Sequence, residues 1–229
     1  MTKQVNLKPS DLPENYKSHL SEMREKDTSW HFDPSRVDKS AIKLNNINID
    51  NDLQDFLLNH CKNIPVEIGT STREGDLNNY RSNSNTLINN KLDHVFHGYT
   101  EHNSQMSYER VSREIANPLL KEVIDQTNLK NASIGIIKVA PGQVIPWHYD
   151  SYVFYKKINN VEVEENVERH IVFPFNWHWG HIYQIGNNVI SNWEKGECYT
   201  WPTFRYHLAA NAGIKDLYLL AITGLRNDT

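Results

Sequence analysis

Two side chains that commonly bind metal ions lie two residues apart in the second half of the chain, at His148 and Asp150. They end the segment 140–150 (APGQVIPWHYD), in which Pro141-Gly142 is a turn signal and the following residues favour a strand. Alternate residues of a strand share a face, so His148 and Asp150 are expected to project side by side. An imidazole and a carboxylate together provide the mixed nitrogen and oxygen ligands that iron(II) accepts.

A third ligand is expected some tens of residues downstream, at the start of a strand across a barrel. His207 occupies such a position, because segment 193–201 (WEKGECYTW) predicts a turn and a strand before it and 217–223 predicts an apolar strand after it. Two histidines and one carboxylate would form a facial triad with open coordination positions. The predicted metal-binding and catalytic residues are therefore His148, Asp150 and His207.

The elements that must position these residues are short β-branched and aromatic runs separated by Pro, Gly and Asn. The predicted strands span residues 134–139, 144–155, 167–175, 181–185, 189–193, 197–201 and 217–223. Such spacing is typical of an antiparallel barrel or jelly roll. The chain is thus predicted to be one mainly β domain with α additions over residues 1–229, with its β core in 131–229.

Residues 1–130 are predicted to form an N-terminal arm and a helical support layer. Within them, 1–60 has only short apolar clusters and is interpreted as a loosely structured arm or cap. Asp52 is predicted to cap a short helix at the end of this arm. The Asn- and Ser-rich stretch 73–91 is predicted to be a long loop, either a lid or simple disorder.

A longer amphipathic helix is predicted over residues 106–127, with a kink at Pro118. The apolar residues at steps of four are Val111, Ile115, Leu119 and Val123.

Composition narrows the class of protein. Among 229 residues, 38% are hydrophobic, 10% aromatic and 23% charged, which is typical of a globular chain. The net charge of −4 argues against nucleic acid as a partner. Cys61 and Cys198 cannot build a disulfide framework, so a cytoplasmic location is expected. No apolar leader follows Met1, and no window approaches the roughly 20 apolar residues of a membrane span.

The ordered combination of these motifs resembles a known family. A His-x-Asp strand, the Arg169-His170-Ile171 segment, the Gly196-Glu197 strand, and His207 followed by Asn211-Ala212-Gly213 are similar to the double-stranded β-helix of 2-oxoglutarate oxygenases. The aspartyl/asparaginyl β-hydroxylase branch, which is cupin-like, is the most similar one. The resemblance covers about residues 134–224.

The resemblance implies iron(II) and 2-oxoglutarate as cofactors and molecular oxygen as co-substrate. The expected reaction hydroxylates an aliphatic carbon of a small molecule or a protein side chain and releases succinate and carbon dioxide. The family also places a buried cation against the distal carboxylate of 2-oxoglutarate. Many members carry an arginine about ten positions after the distal histidine, where this chain has Leu217.

The cofactor-binding residues are therefore sought on the strand after His-x-Asp. Arg169 and His170 are neighbours there, so only one of them can face inward on a regular strand. Arg169 is favoured as the anchor, with His170 and Lys215 as alternatives. A structural ion pair between Arg169 and an acid explains this residue almost as well.

Other readings remain open. His31-Phe32-Asp33 repeats the His-x-Asp pattern but precedes Pro34 in a polar stretch, which favours a turn. His178 and His181 are interpreted as part of a turn that packs tryptophans. The functional alternatives are a cupin-type metalloenzyme that does not use 2-oxoglutarate and a non-catalytic β-barrel binding module.

Overall fold

The computed structural model describes residues 4–11, 41–73, 89–111, 117–150, 152, 155–156, 159–161, 167–202 and 205–226. Among the described residues, strand accounts for 41% and helix for 18%. The prediction of a mainly β fold with α additions is confirmed.

The described residues form thirteen strands. Five precede the region expected to be the β core: β1 Gln4–Asn6, β2 Ile42–Lys43, β3 Val66–Ile68, β4 Ser71–Arg73 and β5 Gln105–Val111. Eight follow: β6 Leu129–Val139, β7 Val144–His148, β8 Val167–Val172, β9 His181–Ile185, β10 Asn188–Ile190, β11 Cys198–Thr200, β12 His207–Asn211 and β13 Leu217–Arg226.

Besides the helical residues 155–156 and 159, whose helix is only partly described, three α-helices and one 3-10 helix have described bounds. They are α1 Asn51–His60, α2 Asn89–Phe96, α3 Pro118–Asp125 and the 3-10 helix Pro9–Asp11. None of the described helices is long and apolar enough to span a membrane.

The last eight strands are divided between two antiparallel sheets. The larger sheet has the order β2-β11-β8-β13-β6-β5-β3, and the smaller one has the order β10-β9-β12-β7. Counted from β6, the first, eighth, third and sixth strands therefore pair in one sheet and the second, seventh, fourth and fifth in the other. This order defines the double-stranded β-helix, a jelly roll, and confirms the predicted fold.

The apolar residues of β13 pack on both faces of the larger sheet, which explains the continuous apolar run in its sequence. Leu217, Leu219 and Ala221 belong to the core between the two sheets. Leu220 and Ile222 belong to a second core on the opposite face. This second core is closed by α1 and α3 through Leu53, Leu57, Leu120 and Val123.

The prediction of one helix over residues 106–127 is wrong in its first part. Residues Gln105–Val111 form β5, which pairs with β6 on one side and β3 on the other. The helix begins only at Pro118. Asn117 is its N-terminal cap, and the side chain of Asn117 accepts hydrogen bonds from the backbone N–H groups of Leu119 and Leu120. Proline suits the first turn of a helix because its missing N–H has no partner there. It therefore starts the helix here instead of kinking it.

Elements from residues 1–130 join the β core as well as supporting it. β3 and β5 extend the larger sheet, and β2 pairs with β11 at its other edge. β1 and β4 form a separate two-stranded sheet. The predicted loop 73–91 overlaps the start of α2, and residues 74–88 lie outside the described part of the chain.

The N-terminal cap of α1 is Asp50, two residues before the predicted Asp52. Its side chain accepts a hydrogen bond of 2.8 Å from the backbone N–H of Leu53. We expect Asp50→Ala to lower the free energy of unfolding by about 1 kcal/mol, because a helix-end N–H group loses its partner. Urea unfolding followed by circular dichroism measures this loss.

Asp52→Ala is the matched control for the cap, since Asp52 is exposed within the first turn of α1. We expect its free energy of unfolding to stay within about 0.5 kcal/mol of the parent value. An equal loss in the two variants would contradict the capping role of Asp50.

Candidate metal centre

The two predicted histidine ligands meet at one end of the smaller sheet. His148 is the last residue of β7, His207 is the first residue of β12, and the two pair directly in the antiparallel register. Their ring centroids lie 4.3 Å apart. The pairing of β7 with β12 therefore brings together side chains that are distant in sequence.

Asp150 completes the cluster from just beyond the strand. β7 ends at His148, so the predicted strand over 144–155 is too long, yet the carboxylate still turns toward the histidines. The candidate ligand atoms of His148, Asp150 and His207 all lie within 4.8 Å of one another. This is the one group of three or more such side chains found among the described residues.

Backbone carbonyls orient both imidazole rings. The Nδ1–H of His148 donates to the carbonyl of Pro146 at 2.8 Å, and the Nδ1–H of His207 donates to that of Arg205 at 3.0 Å. The Nε2 atom of each ring is therefore the unprotonated nitrogen. A metal-binding histidine typically has this arrangement, because the second nitrogen sets the tautomer and the ring orientation.

The pKa values of both histidines favour the neutral, metal-binding form. The pKa of His207 is lowered to about 3, mainly by burial. The neighbouring His148 lowers this pKa as well, and its effect is larger than the opposite effect of Asp150. Burial likewise lowers the pKa of His148, against the opposing effect of Asp150. Both rings are thus neutral near neutral pH and do not have to lose a proton to bind a cation.

Asp150 carries its negative charge in a buried position. Burial raises the pKa of Asp150, but Arg169, the two histidines and Arg110 together lower it by more, so the carboxylate stays ionised. Its Oδ2 lies 3.0 Å from Nη2 of Arg169 and 3.6 Å from Nε2 of His207. This oxygen has no hydrogen-bond partner of proper geometry among the described residues. A buried, unbonded carboxylate oxygen beside two imidazole nitrogens fits a metal ligand.

The three side chains open into a cavity of about 220 Å³ between the two sheets. Apolar residues such as Ile145 and Leu219 form much of its wall. The volume lies below the roughly 300–1,000 Å³ of pockets for drug-sized ligands, so the cavity fits compact molecules.

The alternation of β8 separates the two predicted cofactor-binding residues. Arg169 and Ile171 line the cavity, whereas His170 lies on the opposite face of the sheet. There its Nε2 is 3.1 Å from Glu168 in a separate cleft that also contains Cys198. The structure thus brings Arg169 to the candidate metal ligands and does not bring His170 there.

Within the cavity, the guanidinium of Arg169 contacts the carboxylate of Asp150 and the ring of Tyr152. Burial lowers the pKa of Arg169, but the Asp150 carboxylate and neighbouring tyrosines, Tyr152 first among them, together raise it by more, so the guanidinium stays charged. Its Cζ lies 5.7 Å from the centroid of the Tyr152 ring, within cation–π distance. Its Nε is buried and has no hydrogen-bond partner among the described residues.

The other sequence candidates lie elsewhere. Lys215 borders a groove that contains His178 and His181, distinct from the metal cavity. The Trp177 indole donates to the His181 carbonyl at 2.7 Å and its ring packs against the core between the sheets, whereas Trp179 is 79% exposed. The His31-Phe32-Asp33 tripeptide lies outside the described residues.

Sequence reasoning missed the contribution of β5 to the cavity. Met106, Tyr108 and Arg110 line it from this strand. Their alternation with Ser107 and Glu109 is a strand signal that the apolar steps of four downstream obscured.

A buried histidine lies within hydrogen-bond distance of the backbone next to the candidate metal site. Nε2 of His94, on α2, lies 2.8 Å from the carbonyl of Trp147, the residue before His148. Its Nδ1 lies 3.2 Å from the carbonyl of Gly69. Burial lowers the pKa of His94 to about 3, so the neutral ring donates one hydrogen bond at a time. This residue also carried no recognisable sequence signal.

No protein-family model matches the sequence, and no curated protein matches it significantly. Among solved structures, a Pseudomonas putida prolyl-4-hydroxylase is 10% identical; the match covers 82% of this chain and 93% of that one, with a TM-score of 0.45. A predicted oxalate decarboxylase from Thermotoga maritima is 13% identical over 53% of this chain and 82% of its own, with a TM-score of 0.34.

A third structure, a Cupin 2 conserved barrel domain protein from Salinispora arenicola, is 10% identical. The match covers 52% of this chain and 75% of that one, with a TM-score of 0.33. The strand order described above identifies the fold by itself.

Proposed function

We propose that the protein is an iron(II)- and 2-oxoglutarate-dependent oxygenase of the aspartyl/asparaginyl β-hydroxylase type. The observation that carries this proposal is the convergence of His148, Asp150 and His207, whose candidate ligand atoms lie within 4.8 Å of one another beside the cavity between the two sheets. Both imidazoles present Nε2, and Asp150 presents an oxygen without a hydrogen-bond partner among the described residues.

In this proposal His148, Asp150 and His207 would hold the iron. Two histidines and one carboxylate are the donor set of non-haem iron oxygenases, and they leave coordination positions for other ligands. Iron with 2-oxoglutarate and oxygen supplies oxidative decarboxylation of the keto acid, coupled to hydroxylation of an aliphatic carbon.

Arg169 anchors the distal carboxylate of 2-oxoglutarate. Its side chain is largely buried, with 11% of its surface exposed, and it lines the same cavity as the ligands. A carboxylate oxygen would satisfy the buried Nε, whose lack of a partner is otherwise costly. The planar guanidinium matches a carboxylate with two parallel hydrogen bonds.

Aromatic rings shield the candidate ligands from water. The Trp201 ring lies 4.8 Å from that of His207, and the Tyr183 ring lies 6.4 Å from it. Both residues are at least 95% buried. A dry wall strengthens electrostatic interactions inside the cavity and limits side reactions.

A cytoplasmic location belongs to the same proposal. Cys61 and Cys198 are both free and buried, which suits a reducing compartment. The substrate is a small molecule or a protein side chain, with molecular oxygen as co-substrate and no nucleic acid.

Anaerobic titration of the purified protein with iron(II) and then 2-oxoglutarate tests the proposal. We expect one iron per chain and a weak visible metal-to-ligand charge-transfer band that saturates with 2-oxoglutarate. Exposure to oxygen should then produce succinate. Iron binding without the band would exclude the 2-oxoglutarate reaction and retain the metal site.

A second candidate is a cupin-type metalloenzyme that does not use 2-oxoglutarate. The 3.0 Å ion pair between Arg169 and Asp150 favours it, because a guanidinium that only orients a metal ligand needs no co-substrate. Bound iron or another divalent metal, without consumption of 2-oxoglutarate, would support this candidate.

A further inference from the structure

Ile145 and His148 are three positions apart on β7, yet both line the cavity between the two sheets. On a regular strand, residues three apart face opposite sides, because successive side chains alternate. Regular alternation from Ile145 would therefore turn Trp147 toward the cavity and His148 away from it. Something in β7 has to reverse the alternation before the first candidate ligand.

An irregular pairing of β7 with β12 provides this reversal. The register of the two strands shifts between two of their pairs, His207 with His148 and Ala209 with Ile145. Pro146 and Trp147 therefore stand together opposite a single residue of β12, an arrangement that defines a β-bulge. We call these two residues the β7 bulge. Its extra residue turns His148 toward the cavity, and Asp150, two positions further, lies on the same side.

The backbone of β7 finds hydrogen-bond partners outside its sheet. β7 is the last strand of the smaller sheet as the described residues define it, so its free edge depends on other elements. The N–H of Val144 donates to the carbonyl of Asn103 at 3.0 Å. At the bulge, the carbonyl of Trp147 lies 2.8 Å from Nε2 of His94 on α2. His94 thus contacts the bulge from outside the sheet.

The contacts of the His94 ring assign its proton to Nε2. Nδ1 lies 3.2 Å from the carbonyl of Gly69, which already accepts a hydrogen bond of 2.7 Å from Nζ of Lys91. The contact between Nε2 and the Trp147 carbonyl is the shorter of the two made by the ring. Because Lys91 satisfies the Gly69 carbonyl, the N–H of His94 is available to Trp147.

The other residue of the bulge packs against the same layer. A Cβ atom at Gly69 would lie 3.1 Å from Cδ of Pro146, so only a glycine lets the two segments approach this closely without a shift. The carbonyl of Pro146 in turn accepts the Nδ1–H of His148. Gly69 and His94 therefore contact both bulge residues, directly before the ligand.

We propose that His94 is a positioning residue for the candidate metal centre: its Nε2–H, donated to the carbonyl of Trp147, holds the β7 bulge in the conformation that directs His148 and Asp150 into the cavity. His94 is not among the residues that line the cavity, so it acts through the backbone. The inference rests on the metal site of the proposed function and does not depend on 2-oxoglutarate.

Two variants of similar side-chain length separate the hydrogen bond of His94 from its packing. Methionine has no N–H donor, whereas the amide N–H of glutamine can reach the position of Nε2. We expect His94→Met to weaken iron(II) binding roughly 10- to 100-fold, the range found for groups that orient a metal ligand. His94→Gln is expected to retain most of the affinity. Anaerobic calorimetry measures both.

Cobalt(II) in place of iron(II) adds a spectroscopic readout, since its visible absorption depends on the number and geometry of its ligands. We expect an altered spectrum in His94→Met and a spectrum like that of the parent in His94→Gln. His94→Asn is a further variant, because its shorter amide reaches the position of Nδ1 but not that of Nε2. It is expected to bind iron(II) as weakly as His94→Met, and it keeps the test decisive if His94→Met does not fold.

Leu120→Ala is the control for a general loss of stability, since Leu120 lies in the core on the opposite face of the larger sheet. We expect a lower melting temperature and unchanged iron(II) affinity.

Three results would overturn the inference while iron bound by the parent protein leaves the proposed function standing. They are parent-like affinity in His94→Met and His94→Asn, an equal loss of affinity in His94→Met and His94→Gln, and an equal loss in His94→Met and Leu120→Ala. A parent protein that binds no iron would instead remove the proposed metal centre and this inference together.

Discussion

Replacing His207 with alanine is expected to abolish stoichiometric iron(II) binding while the chain remains folded. His207 is one of three candidate ligands, and its Nε2 is directed at the other two. Loss of a group that only orients a metal ligand costs roughly 10- to 100-fold in affinity, so loss of the ligand itself should cost more. Anaerobic calorimetry, or equilibrium dialysis with metal analysis, measures the effect.

The fold of this variant is expected to persist because β12 keeps its backbone pairing with both β7 and β9. Circular dichroism checks this. His102→Ala is the control, since the side chain of His102 is 83% exposed and lies outside the cluster. Iron binding that survives in His207→Ala would remove the basis of the proposed function.

Arg169→Met is expected to remove measurable 2-oxoglutarate binding from the iron-loaded protein. Truncating one partner of a buried, hydrogen-bonded charge pair costs about 2–5 kcal/mol of binding free energy. Arg169→Lys is expected to fall between the parent and Arg169→Met, because lysine keeps the charge but not the two parallel donors. Titration of the charge-transfer band with 2-oxoglutarate gives both affinities.

His170→Ala is the matched control for Arg169, since it removes the neighbouring residue from the opposite face of β8. We expect unchanged affinity for iron and 2-oxoglutarate, although loss of the contact with Glu168 can lower stability. Arg169→Met could instead weaken iron binding, while the fraction of the protein that still holds iron binds 2-oxoglutarate normally. That outcome would make Arg169 a positioning residue for Asp150. That result would favour the second candidate function.

Much of the β core could be predicted because its signals are local. Runs such as 181–185 are bounded by turn residues, and their predicted limits match β9. Local signals predict the ends of strands less well. Strand β7 ends at His148, before Asp150, although the alternation of residues suggests that it continues. Residues 105–111 show a second weakness of local signals, because the helix predicted from the apolar steps of four at 111–123 extends back over them, whereas they pair with β6 as a strand.

The sequence by itself determined the fold class and the three candidate ligands, because strand alternation, turn residues and ligand chemistry are properties of neighbouring residues. It also determined that Arg169 and His170 must face opposite sides of their strand. Only the tertiary structure decided which of them meets Asp150, since that depends on which face of β8 lies against the smaller sheet.

The tertiary structure also decided that Arg110 reaches the same cavity from β5. This placement arises from pairing between strands far apart in the chain, and the free energy of that pairing is not encoded in any short segment.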